Sequence, residues 1–202
     1  MPSAFYDKLI QDLQISRKIA YKVPKNSCNT VVQELKIKAY IFLSHAAIEE
    51  YLEKIVLDVA EKAIKEFIST EKITRALVGL ISSGLIGRID EDGISKKIKR
   101  EPFEDIGLFA TTAFGRFKSV VSNNHGIRVT DQERLLLPIG VDPSLEDPVT
   151  MAIIDSFGLK RGNIAHEFKI TKKHTLSEIS GDLKTIECGL LNFDLACLRT
   201  LS

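Results

Sequence analysis

Apolar residues recur at helical spacing along most of this chain, and the strict alternation that marks strands is scarce. Phe5, Leu9, Leu13 and Ala20 predict a helix over residues 3 to 22, stopped by Pro24 and a loop through Ser27. Residues 29 to 69 read as one long helix, with Ile48, Leu52, Ile55, Val59, Ala63 and Phe67 as its buried stripe. Residues 71 to 85 form a shorter one, with Ile73, Leu77, Leu80 and Ile81 inward and Gly84 and Gly87 at its end. Residues 88 to 101 are charged and read as a loop or a short basic helix. Pro102 then suits the first turn of a helix whose stripe is Phe103, Ile106, Ala110, Ala113, Phe117 and Val120. Asn123-Asn124-His125-Gly126 closes it as a left-handed stop centred on the glycine, which gives His125 a structural role, as packing does for His45 and a loop position for His174.

Residues 127 to 147 carry Pro138, Gly140 and Pro143 and read as an irregular connection over one end of a bundle, with a short helix near Thr130 to Leu137. Asp147 is a good N-cap and Pro148 a good first residue for the next helix, which runs through Ile153, Ile154, Phe157, Ile164 and Phe168. Gly158 and Gly162 interrupt it at about 1 kcal/mol each, so close approach by another helix or by RNA backbone is the expected reason for them. Thr175-Leu176-Ser177-Glu178 is a capping box for a last helix with Ile179, Leu183, Ile186, Leu190, Phe193 and Cys197 along one seam. The class is all-α: one domain, a bundle of four main helices with accessory ones, and residues 1 to 28 as a helical extension.

Charge changes the picture by exclusion. Lys and Arg number 28 against 27 Asp and Glu, which excludes a wholly basic nucleic-acid binder. RNA contact would rest on local patches: Lys160, Arg161, Lys169, Lys172 and Lys173, or Lys96, Lys97, Lys99 and Arg100. Either run also reads as a solvated face. Cys28, Cys188 and Cys197 form no CxxC pair, so small core hydrophobes in a reduced cytoplasm are expected, with no metal site. No apolar run would span a bilayer, and the N-terminus lacks the core of a signal peptide. There is no P-loop, no dinucleotide-binding glycine pattern and no paired metal carboxylates, so no cofactor is expected.

The candidate chemistry lies in Lys160-Arg161-Gly162-Asn163-Ile164-Ala165-His166. An arginine can grip a phosphate with two prongs, and an imidazole can move a proton near neutral pH. Asn163 shares a helix face with His166, whereas Arg161 lies roughly 140° around from it. A long side chain, or a second copy of the helix across a dimer axis, would close that gap. Glu50, Lys54 and Asp58 lie four apart on the long helix, which reads on its own as a surface ion ladder.

Arg, four residues, then His, with a polar residue between and Ala before the His, resembles the catalytic motif of the HEPN superfamily. Ser44-His45-Ala46-Ala47-Ile48-Glu49-Glu50-Tyr51-Leu52-Glu53-Lys54 resembles that family's earlier helix, with Glu50 and Lys54 at its Glu-and-basic positions. Asn124-His125-Gly126-Ile127, Leu137-Pro138-Ile139-Gly140-Val141 and Arg161 to His166, in that order, are similar to the RiboL-PSP and MAE_28990-like branch. The resemblance spans roughly residues 30 to 200. It implies an all-helical homodimer and a metal-independent endoribonuclease of a defence or toxin–antitoxin type, cutting by 2′-hydroxyl attack to a 2′,3′-cyclic phosphate. His166 would be the acid or base, Arg161 the phosphate stabiliser and Asn163 the orienting amide. Glu50 and Lys54 would steady the arginine, against the ladder reading, and Lys160, Lys169, Lys172 and Lys173 would meet RNA. Partners would be RNA, a second copy, and an antitoxin or a sensor ATPase. Gly162 stands where many catalytic members carry a polar residue. The alternative is an inactive RNA-binding or regulatory module working with a partner protein.

Overall fold

The computed structural model describes residues 1–89, 106–166 and 174–202, without the side chains of 84–89 and 166. The spine is a helix of 40 residues, α2 (Val31–Thr70), about 60 Å long at the usual rise. Its start is a full capping box: the Thr30 hydroxyl accepts from Gln33 N, and the Gln33 side chain accepts from Thr30 N. Its end is Glu71 in the left-handed region at φ 58°, whose N–H reaches back to the Phe67 carbonyl. The expected stripe is buried from Ile48 through Ala63, with Phe67 partly covered.

Around this spine pack α1 (Ala4–Arg17), α3 (Arg75–Ile89), α4 (Ile106–Ser122), α5 (Val129–Leu136), α6 (Pro143–Glu146), α7 (Pro148–His166) and α8 (Leu176–Arg199). No strand occurs among the described residues. The architecture is therefore all-α, as the periodicity predicts. None of the described helices is long and apolar enough to cross a membrane. Leu9 and Leu13 of α1 belong to the common core, and a buried Asp194 on α8 accepts from Ser3 N, Ser3 Oγ and the Tyr51 hydroxyl. The extension is thus clasped to the bundle by a carboxylate both of whose oxygens are hydrogen-bonded.

Several boundaries differ from expectation. Helix α3 begins at Arg75, because the Thr74 hydroxyl caps Leu77 N. Ile73 therefore lies before the helix and is 66 % exposed. The helix runs on through Gly84 and Gly87; two penalties of about 1 kcal/mol each do not end it. The basic run at 96 to 100, Pro102 and Phe103 lie outside the described residues. Among the described glycines only Gly140 has a positive φ, so Gly126 is not a left-handed stop. Its need is space. A Cβ there would collide with the Asp131 carboxylate, which closes over the loop to accept from Arg128 N at the start of α5.

The connection over 127 to 147 is also more regular and more buried than its prolines suggest. It holds α5, a 3-10 turn (Leu137–Ile139) and α6, and Ile127, Leu135, Leu136, Ile139 and Val141 all lie in the core. Of the cysteines, Cys197 is buried, Cys28 half-buried and Cys188 exposed, so Cys188 is no core residue.

Candidate functional site

Helix α7 carries Arg161 and is anchored along its length. Asp147 caps its start, accepting from Thr150 N and Thr150 Oγ1 at 3.0 and 2.9 Å. Thr150 sits so tightly against α8 that a Cβ on Gly189 would collide with its side chain. Ile154 and Phe157 fill the core. At Gly158 the loop before α5 comes close: a Cβ would lie 3.2 Å from Arg128 Cγ and 3.3 Å from Ile127 Cγ1. Close approach is thus the use of Gly158, but by a loop rather than by the helix or RNA backbone expected. Gly162 has nothing within 4 Å of where its Cβ would stand.

Lys160 points to α8, where its ammonium meets Asp182 at 2.6 Å and Glu178 at 3.6 Å, with the side chain only 16 % exposed. Arg161, the next residue, turns to α2, and its guanidinium lies 5.4 Å from the centroid of the Phe42 ring. Below Phe42 the same face of α2 presents His45, Glu49 and Glu53, at helical intervals. His45 is 3 % exposed. Burial, then the Arg161 charge, push its imidazole down to about 4 against a weaker pull from Asp131. It is therefore neutral at pH 7.

Glu49 Oε2 lies 3.6 Å from His45 Nδ1, an electrostatic contact rather than a hydrogen bond. Burial raises the Glu49 carboxyl, with Glu53 and Asp131 adding to the rise; Arg161 and His125 oppose it. Glu53 accepts from Asn124 Nδ2 at 2.9 Å, and Asn124 Oδ1 accepts from Arg134 Nη2 at 3.1 Å. The result is a graded polar strip, from Arg161 at the edge to a neutral imidazole and a reluctant carboxylate beneath it. Among the described residues no group of three or more His, Cys, Asp or Glu converges as a metal-binding set.

Glu50 and Lys54 are elsewhere. They pair with each other, and Glu50 also faces Lys8 of α1 at 3.8 Å. Both are 46 % exposed. The hydrogen bond from Lys54 lowers the Glu50 carboxyl. Neither side chain is brought to Arg161: one residue along a helix is a turn of roughly 100°. Asn163 is exposed, and His166 is the last helical residue of α7. Lys160 is committed to two carboxylates, while Lys169, Lys172 and Lys173 lie outside the described residues. Sequence reasoning passed over Phe42, Glu49, Glu53, Asn124 and Arg134, and gave His45 and His125 no chemical part. The available signal was the spacing of Phe42, His45, Glu49 and Glu53, a row adjacent to the one chosen.

Among protein-family models, RiboL-PSP-HEPN matches this chain over residues 4–186. It takes in α1 as well as the strip and the motif. Neither the curated proteins nor the solved structures return a match.

Proposed function

Since this chain belongs to the RiboL-PSP-HEPN family, whose domains are RNase-type or RNA-related, we propose that it is a metal-independent endoribonuclease acting in defence or in a toxin–antitoxin pair. The observation that carries this reading is the seating of Arg161: a guanidinium at the rim of the bundle, stacked near Phe42, with Glu49 and a neutral His45 below it. Such a guanidinium is preorganised for a phosphate, since the helix and ring already restrict it. His166, on the last turn of the same helix, serves as base on the ribose 2′-hydroxyl or as acid on the leaving 5′-oxygen. Asn163 is exposed between the two and orients the phosphate. The products are a 2′,3′-cyclic phosphate and a 5′-hydroxyl, and DNA, which lacks the attacking hydroxyl, is not cut.

Two copies of the chain form the working unit. Leu159 on α7 and Leu35 and Leu43 on α2 are exposed apolar residues of the two helices that meet at Arg161, and the open space at Gly162 admits a second helix. An antitoxin or a sensor ATPase supplies control. The second reading, an inactive RNA-binding module acting with a partner protein, is favoured by Gly162 following the arginine. Incubation with total RNA separates the two. Cleavage that persists in EDTA, leaves cyclic phosphate ends and disappears in His166→Ala supports the nuclease. Intact RNA at micromolar protein, with RNA still bound, rejects it for the module.

A further inference from the structure

Cleavage by an internal hydroxyl needs two proton transfers, one from the nucleophile and one to the leaving oxygen. Arg161 cannot supply either, because a guanidinium does not give up its proton in a protein. Among the other described side chains near it, His45 is sealed beneath the surface and cannot touch a substrate. His174 bonds to Glu178 at the start of α8, on the side where Lys160 is locked away from RNA. The fourth histidine of the chain is His125.

His125 is exposed, although both its flanks are pinned. On one side Asn124 is buried and donates to Glu53 of α2. On the other, Ile127 is fully buried and its carbonyl accepts from Gln132 Nε2 at 2.9 Å. Arg128 Nε and Val129 N both donate to Asp155 of α7, and Gly158 leaves room for Ile127 and Arg128 to come close. The loop is thus wedged between α2 at Glu53 and α7 at Gly158, one turn before Arg161. Independently, the charge of His125 is felt at Glu49, the carboxylate that also feels Arg161. A loop pinned between the two helices that carry the strip and the arginine, presenting one exposed histidine, is a common way to place a reactive group.

We propose that His125 is the second catalytic histidine, the acid that protonates the departing 5′-oxygen. The assignment rests on the endoribonuclease reading and sharpens it. His166 then takes the 2′-hydroxyl proton as the O2′–P bond forms. The P–O5′ bond breaks, its electron pair stays on O5′, and His125 delivers the proton there. Each imidazole exchanges its state with the other, and water restores both. Glu49 and Glu53 on α2, Arg128 in the loop itself, Asp131 and Arg134 on α5, and Asp155 and Arg161 on α7 are charged groups that face this loop or its neighbours.

The test uses two substrates with the full chain: an RNA oligonucleotide, and the same oligonucleotide with sulfur in place of the bridging 5′-oxygen at the cut site. A thiolate leaves without a proton. His125→Ala is expected to slow cleavage of the oxygen substrate at least 100-fold, within the range for one acid–base group, and of the sulfur substrate less than fivefold. His166→Ala slows both alike. Circular dichroism and melting of His125→Ala should match wild type, since the side chain is exposed, and His125→Asn serves as a second variant that preserves a polar loop. Equal losses on both substrates, or wild-type rates on the oxygen substrate, overturn the assignment while leaving the nuclease intact. Failure of the wild type to cut either one removes the nuclease reading, and His125's role with it.

Discussion

On one side of α2, Glu50 sits in the open beside Lys54 and Lys8 of α1. One residue back, Glu49 lies half-buried beside His45, within the field of Arg161 and His125. The two residues are the same amino acid on the same helix. Their neighbours give them opposite protonation tendencies, lowered at Glu50 by Lys54 and raised at Glu49 by burial. The first belongs to an ordinary solvated ladder. The second belongs to the strip under the arginine. A carboxylate's role thus depends on which helix packs over it, more than on its place in a linear motif.

Four measurements would break or sharpen this contrast. The largest effect is expected at the strip's outer edge: Arg161→Ala should lower kcat about 1,000-fold, roughly 4 kcal/mol of transition-state stabilisation, with helicity unchanged. Next is stability at low pH. An unfolded His45 would titrate near 6.5 and the folded one near 4, so between those values the unfolded chain binds more protons and stability falls as pH drops. The loss should approach about 3 kcal/mol by pH 4. The raised Glu49 works in the opposite sense near and above its ordinary value of 4.5. Urea melts at several pH values should show the slope in wild type and a flatter one in His45→Gln; matching slopes would remove the buried imidazole as its source. Third, Glu49→Gln should reduce kcat about 30-fold with KM within twofold, as expected if the carboxylate beneath the strip holds Arg161 by its field without touching RNA. Smallest of all, Glu50→Ala and Lys54→Ala should each change stability by less than about 0.5 kcal/mol and activity by less than twofold. Were Glu50→Ala the more damaging of the two glutamate variants, the contrast between the faces would be reversed.

Much of this was legible in the residues themselves. The α2 stripe, the Asp147 and Thr175 caps and the α8 seam follow from periodicity and local hydrogen-bond chemistry, which a sequence states directly. The start of α3 and the reason for Gly126 were not legible, because they depend on Thr74 and Asp131 folding back over the chain. The core residues of 127 to 147 were hidden for a related cause: they are distributed over one short helix, a 3-10 turn and the residues between elements, none long enough to show a period. At the site, Arg161, Asn163 and His166 stand out as a linear motif. The row of α2 that faces Arg161 could not be chosen from sequence, because neighbouring rows differ by one residue and only packing selects between them.

Lys160 shows how that selection is held. Its ammonium bridges Glu178 and Asp182 on α8, an ion pair with little solvent to screen it. It acts as a key in a slot, indexing α7 about its own axis. Shifting the two acids along α8 by a single position would turn them roughly 100° about that helix, away from Lys160, and free α7 to roll and carry Arg161 off the Phe42 ring. The aim of the guanidinium is thus encoded in a helix that never touches it.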